Sequence, residues 1–352
     1  MLRILACCVA LLVCSLAQAE GEGTNNAPRE PDIDALGNIQ QKIVHRMNAD
    51  GVSHLVAPPW SKGSFVTNQP TAGSTAATST ISYHGGPVMP TISAVYLIWY
   101  GNWNQANGSD TPQGQQIIRD ALFGLSQGNA YSPITTGAIG TYSSSSGVSV
   151  TQISSAAQSE IADNYSQGRS LSDSGVLRVL KNAIAKGLGA VNGQPTAHSD
   201  AVYLVLSSTD VAETSGFCSR YCGWHTYTTT FGSTTPVKYA FVGNANRCLS
   251  ACAAQVISPN GNAGVDAMVS VIAHEMEEAA TDPLLNAWYD SRGSENADKC
   301  AWTFGSSQVQ LPSGAYYNVT LPASSTPARN YLVQRALGQS TSKCYVNSSG
   351  GQ

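Results

Sequence analysis

Charge is scarce in this chain. Lys, Arg, Asp and Glu make up only 11% of its 352 residues, where an ordinary globular protein carries roughly a quarter. The 18 cations and 22 anions leave a net charge of −4, and no Lys/Arg run or basic stripe occurs. That argues against a nucleic-acid partner, because phosphate binding needs clustered cations. After residue 16 no apolar run is long enough to cross a bilayer, and the polar C-terminus lacks the hydrophobic tail of a lipid-anchored protein. Insertion into a membrane is therefore not expected. Also missing are the Gly-x-Ser-x-Gly elbow, the P-loop and any repeat of fixed period. Gly187-Leu188-Gly189 precedes no dinucleotide fingerprint.

What is present begins with a leader. Arg3 precedes an apolar run from Ile4 to Leu16, and Ala17-Gln18-Ala19 has the small-x-small pattern of a cleavage site. Residues 1–19 read as a secretory signal peptide cut after Ala19, so a secreted, extracellular protein is expected. Of the nine cysteines, Cys7, Cys8 and Cys14 leave with the leader. Six remain: Cys218, Cys222, Cys248, Cys252, Cys300 and Cys344. An even number in an oxidising compartment predicts three disulfides, with their connectivity open. The two C-x3-C pairs leave zinc as an alternative. Asn107, Asn164, Asn318 and Asn347 head Asn-x-Ser/Thr sequons and are candidate glycosylation sites.

Residues 20–80 are rich in proline and small side chains and read as a flexible N-terminal segment. Ile33, Leu36, Ile39, Ile43 and Met47 predict one helix within it. A folded domain is expected over 81–345, with 346–352 as a disordered tail. Ile92–Tyr100, Ala201–Ser207 and Val237–Val242 are apolar and β-rich, as strands buried on both faces are. Thr111-Pro112 reads as a cap followed by proline at the first position of a helix. Leu177–Leu188 predicts a second helix. Alternation of this kind predicts a single α/β domain with a mixed sheet covered by helices. Trp99, Tyr100, Trp103, Trp224, Trp288 and Tyr289 lie near turns. Trp103 and Trp224, flanked by polar residues, are the best candidates for stacking on sugars.

The chemistry concentrates in Gly264–Asp298. Val265, Met268, Val269, Ile272, Met276 and Ala279 fall on one side of a helix that Pro283 terminates. His274 and Glu278, one turn apart, share the other side with Glu275 beside them. Gly293 is expected to turn the chain so that Asp290, Glu295 and Asp298 return towards the helix.

These motifs carry a family resemblance. YHGGPV (Tyr83–Val88), VYLIWYGNW (Val95–Trp103), FCSRYCGWH (Phe217–His225) and KYAFVGN (Lys238–Asn244) resemble segments of the EXORDIUM, or phosphate-induced protein, family. The likeness continues through GVDAMVSVIAHEMEEAATDP (Gly264–Pro283), NAWYD, ENADKC and NYLVQRA (Asn330–Ala336). It implies an extracellular, cell-wall-associated protein linked to cell expansion and growth regulation, with wall or matrix components as partners. It implies no enzymatic activity.

His274-Glu275-x-x-Glu278 is also similar to the H-E-x-x-H helix of zinc metallopeptidases, with a glutamate in the second ligand position. The order of elements suggests a zincin-like arrangement. On that pattern His274 and Glu278 bind one divalent metal, Glu295 or Asp298 is the third ligand, and Glu275 is the general base. His225 and His84 are spare ligands. The set is harder and more oxygen-rich than zinc usually prefers, so Ca²⁺ or Mn²⁺ is the alternative to Zn²⁺. A metal-dependent hydrolase and a wall-polysaccharide-binding protein are the alternatives to a growth-regulating matrix protein.

Overall fold

A computed structural model of the chain describes residues 53–54 and 81–346, less 128–138, 151, 154–156, 192–193, 196–199, 232–234, 326 and 341. The expected leader, the helix expected around Ile33 to Met47, and Asn347 lie outside the described residues.

Six strands make the central sheet: β1 Ser53–His54, β2 Ala94–Tyr100, β3 Ala157–Asp163, β4 Ala201–Ser207, β5 Gly223–Thr228 and β6 Val237–Gly243. Their spatial order is β1-β5-β6-β4-β2-β3. β3, β2, β4 and β6 run parallel, β5 is antiparallel to β6, and β1 is antiparallel to β5. The sheet is mixed and helix-covered, as the sequence predicts. Every residue of β2, β4 and β6 is buried, which explains their unbroken apolar runs. β3 and β5 were not legible as strands. β3 lies at the edge and exposes Ser159 and Glu160, while β5 (GWHTYT) carries little apolar signal.

Helix α1, Pro112–Ser126, starts where expected: the Thr111 hydroxyl accepts from the Gly114 N–H at 3.0 Å and Pro112 opens the first turn. Helix α2, Asp173–Ala185, starts four residues before Leu177, because Ser172 caps it by accepting from Gly175. The crossovers β2-α1-β3 and β3-α2-β4 step in opposite directions along the sheet. Right-handed connections then place α1 and α2 on opposite faces. A single turn, α3, Leu249–Cys252, leads to α4, Ala263–Thr281, which lies against α1, β5 and β6.

The Asn262 side chain caps α4, accepting from the Val265 N–H at 3.3 Å, and Asp282 ends it just before Pro283. The sequence predicts one apolar side and one polar side. Instead, every residue from Gly264 to Thr281 is buried. The polar side is covered by the loop after the helix and by the C-terminal strands. Thr281 donates to Asn296 Oδ1 at 3.1 Å, and Ser270 Oγ accepts from the Gln334 N–H at 3.1 Å.

The cysteines pair as Cys218–Cys248, Cys222–Cys252 and Cys300–Cys344. Both C-x3-C segments are consumed by disulfides to each other, so the zinc alternative for them falls. The stacking role for Trp103 and Trp224 falls too. Trp224 packs edge-on to Tyr239 with no exposed surface, and Trp103 is 6% exposed and donates to the Leu206 carbonyl. Asn107 and Asn164 are exposed. Asn318 donates its amide to the carbonyls of Phe304 and Val333, so a glycan there would displace a native hydrogen bond. Val346, the expected start of the tail, is buried.

Asp120 ties α1 to the hairpin formed by Val319–Pro322 and Ala328–Tyr331. Its carboxylate has no exposed surface and accepts from Ser324, Ser325, Gln116 and the Arg329 guanidinium, the last at 2.7 Å. Burial alone would raise its pKa. The hydrogen bonds from Ser325, Arg329, Ser324 and Gln116 outweigh burial and hold the carboxyl well below its ordinary range. A depressed carboxyl contributes stability above its unfolded pKa of about 3.9 and loses it as pH falls towards the folded value. Asp120→Asn should therefore lower stability at pH 7 by ~2–4 kcal/mol. In urea titrations the gap between variant and parent should narrow below about pH 4. A gap independent of pH would contradict the assignment.

Candidate metal centre

Three segments converge on the C-terminal half of α4. The helix supplies His274, Glu275 and Glu278. β5 supplies His225, on the strand packed against that helix. Close approach depends on Gly223: a Cβ there would lie 2.6 Å from Val271 Cγ1 and 3.1 Å from Glu275 Oε1. The loop beyond Pro283 supplies Glu295 and Asp298. Its return is built from carboxylate-capped turns. Asp282 accepts from the Asn286 and Ala287 N–H groups at 2.6 Å each, and Asp290 accepts from Arg292 and Ser294. Gly293 adopts φ +87°, a left-handed conformation that glycine takes readily. The Lys299 ammonium, buried beside this turn, meets Asp290 Oδ2 at 2.6 Å.

The resulting distances are short. His274 Nε2 lies 3.0 Å from Glu278 Oε1 and 3.5 Å from Asp298 Oδ1. His225 Nε2 lies 3.1 Å from Glu295 Oε2 and 3.7 Å from Glu278 Oε2. Backbone donors orient two of the acids: the Asp298 N–H reaches Glu278 Oε1 and the Glu295 N–H reaches Asp298 Oδ2, both at 3.1 Å. One ligand atom each from His274, Glu278 and Asp298 falls within 4.8 Å of the others, and the same holds for His225, Glu275 and Glu278. Atoms about 2.0–2.2 Å from a common ion lie roughly 3.0–3.6 Å from one another, a range that the His274–Glu278 and His274–Asp298 separations meet.

All six side chains are at most 2% exposed. Among the described residues, neither carboxylate oxygen of Glu275 has a hydrogen-bond partner. Burial pushes the Glu275 carboxyl well above its usual range; His274 pulls it back, while Glu278 and Asp298 add to the rise. Burial would lower the His274 pKa, but Glu278 and Asp298 outweigh it and raise the imidazole well above its usual value. Burial likewise raises Glu277, another carboxyl of this helix. For Glu275 and Glu277 burial outweighs the pull of His274, so neither carboxylate has a sufficient counter-charge. A divalent cation would supply one and reverse the direction for the carboxyls.

The four principal ligands the sequence nominates, His274, Glu278, Glu295 and Asp298, are thus brought close together, with Glu275 beside them. Asp298 completes the His274–Glu278 group, whereas Glu295 faces His225. His225, named only as a spare, is a full member. Its signal was weak, since a histidine in a short polar strand looks like any other turn-flanking residue. His84 joins neither group. It is exposed, stacks on Tyr289 with ring centroids 3.7 Å apart, and bonds to Ser82 and the Tyr289 carbonyl.

Comparison with known proteins places the chain. The model of the phosphate-induced protein 1 conserved region matches residues 81–347. Protein EXORDIUM-like 3 of Arabidopsis thaliana is 32% identical over 294 residues, covering 75% of this chain and 82% of the relative. Protein PHOSPHATE-INDUCED 1 of Nicotiana tabacum is 25% identical over 297 residues, covering 75% and 87%. Protein EXORDIUM of Arabidopsis thaliana is 26% identical over 246 residues, covering 62% and 70%. No solved structure matches the chain. The resemblance carried by the sequence motifs therefore holds, and this chain belongs to the phosphate-induced protein 1 family, alongside the EXORDIUM proteins.

Proposed function

We propose that this protein acts outside the cell, in the wall or matrix, as a growth-regulating member of its family whose fold is held by a buried divalent cation. The observation that carries the cation is the convergence of two imidazoles and four carboxylates with no exposed surface to speak of. The imidazoles pair with Glu278, Glu295 and Asp298, but neither oxygen of Glu275 has a hydrogen-bond partner among the described residues, and an uncompensated buried charge costs several kcal/mol. His274, Glu278 and Asp298 are the primary ligands. The leader, the paired cysteines and the family support an extracellular location. No helix among the described residues is long and apolar enough to cross a membrane.

Hydrolysis with Glu275 as general base is the second reading. It draws on one observation, a buried and unpartnered carboxyl with a raised pKa, which is how catalytic bases are tuned. Catalytic ions keep a coordination position open to substrate. Here each candidate ligand is enclosed, so an ordering role is supported better than turnover.

Elemental analysis of protein secreted by a plant host and purified without chelator should find about one equivalent or more of a divalent metal. Less than roughly a tenth of an equivalent would overturn the cation. Chelation should lower the melting temperature by roughly 10 °C, as removal of a tightly bound native-state ligand does. His274→Asn should weaken that chelator response, and when expressed in expanding tissue should lose the parent's effect on cell length. A variant as active as the parent would separate the growth role from the centre. N-terminal sequencing of the secreted protein should begin at Glu20; a chain retaining Met1 would contradict the leader.

A further inference from the structure

We infer that the centre holds two divalent cations bridged by Glu278, not one. The inference rests on the cation reading above and extends it. Two sets of ligand atoms, His274–Glu278–Asp298 and His225–Glu275–Glu278, each close enough to hold an ion, have only Glu278 in common. The two oxygens of that carboxylate face different imidazoles: Oε1 lies 3.0 Å from His274 Nε2, and Oε2 lies 3.7 Å from His225 Nε2. A carboxylate split in this way is how two ions about 3.5–4 Å apart are bridged. Each ion then receives one imidazole and at least two carboxylates, a donor set suited to Mn²⁺ or Zn²⁺.

Glu275 is the independent observation. It is 1% exposed, both its oxygens lack a hydrogen-bond partner among the described residues, and one of them lies within reach of His225 and Glu278. A single ion between His274 and Asp298 leaves that carboxylate buried with nothing to bind. A second ion gives it a partner, and makes it a ligand instead of a base. Glu295, whose Oε2 is 3.1 Å from His225 Nε2, stands ready as a further ligand to the second ion.

The test is a titration of the metal-free full secreted protein with Mn²⁺ and separately with Zn²⁺, read as ions retained per chain after gel filtration. Two ions are expected, and Mn²⁺ should give the electron paramagnetic resonance spectrum of a spin-coupled pair. His225→Asn should retain one ion, with the spectrum of isolated Mn²⁺. Glu278→Gln should weaken retention of both ions by tenfold or more. One ion in the parent, with an uncoupled spectrum, would overturn the pair while leaving the single-cation reading intact; no ion would overturn both. Two uncoupled ions, both still held after Glu278→Gln, would place them elsewhere and also overturn it. The coupled spectrum needs only the parent protein, so it decides the matter even where a variant fails to fold.

Discussion

A carboxylate in a protein interior needs a counter-charge, and α4 takes Glu275, Glu277 and Glu278 into the core together. Much of the surrounding structure answers that requirement. β5 brings one imidazole, the helix itself a second, and the returning loop offers backbone N–H groups to Glu278 and Asp298. What these donors leave unbalanced, the proposed cation would complete. Each uncompensated buried charge would cost several kcal/mol, comparable to the whole stability of a domain when summed over the centre.

The covalent framework brackets the same place. Cys222–Cys252 fixes the residue before Gly223 at the start of β5, and Cys218–Cys248 reinforces that strap. Cys300–Cys344 pins the chain two residues past Asp298 to the last hairpin. The two non-helical arms of the centre are thus each held by a disulfide close to their ligands. β5 is also the strand that departs from the parallel sheet, and its outer edge is covered by Ser53–His54, which pair with His225 and Trp224. That contact comes from a segment preceding the region shared with the family.

The sequence was most legible where one physical signal dominated. β4 follows its apolar run over Ala201–Ser207, and Thr111-Pro112 opens α1 as its capping chemistry dictates. The turn at Gly293 and the return of Glu295 and Asp298 were likewise readable, because glycine and proline constrain the backbone locally. Burial of the polar side of α4 was not. Its partners come from strand and loop segments far along the chain, and an amphipathic pattern cannot reveal that both sides are covered. For the same reason Trp224 looked available beside a polar turn, although β6 buries it, and the disulfide partners could not be chosen by spacing. His225 joins the centre through a strand whose antiparallel placement only the tertiary fold decides.

Family membership says where this chain belongs, while the centre says what kind of object its core is: a helix whose acids are gathered, not scattered, around two imidazoles. Anomalous diffraction from crystals of the secreted protein, collected across the Mn and Zn edges, addresses this directly. The account predicts anomalous density enclosed by His274, Glu278, Asp298, Glu275 and His225. A protein that is folded and active, with those side chains in place and no anomalous density among them, would contradict it.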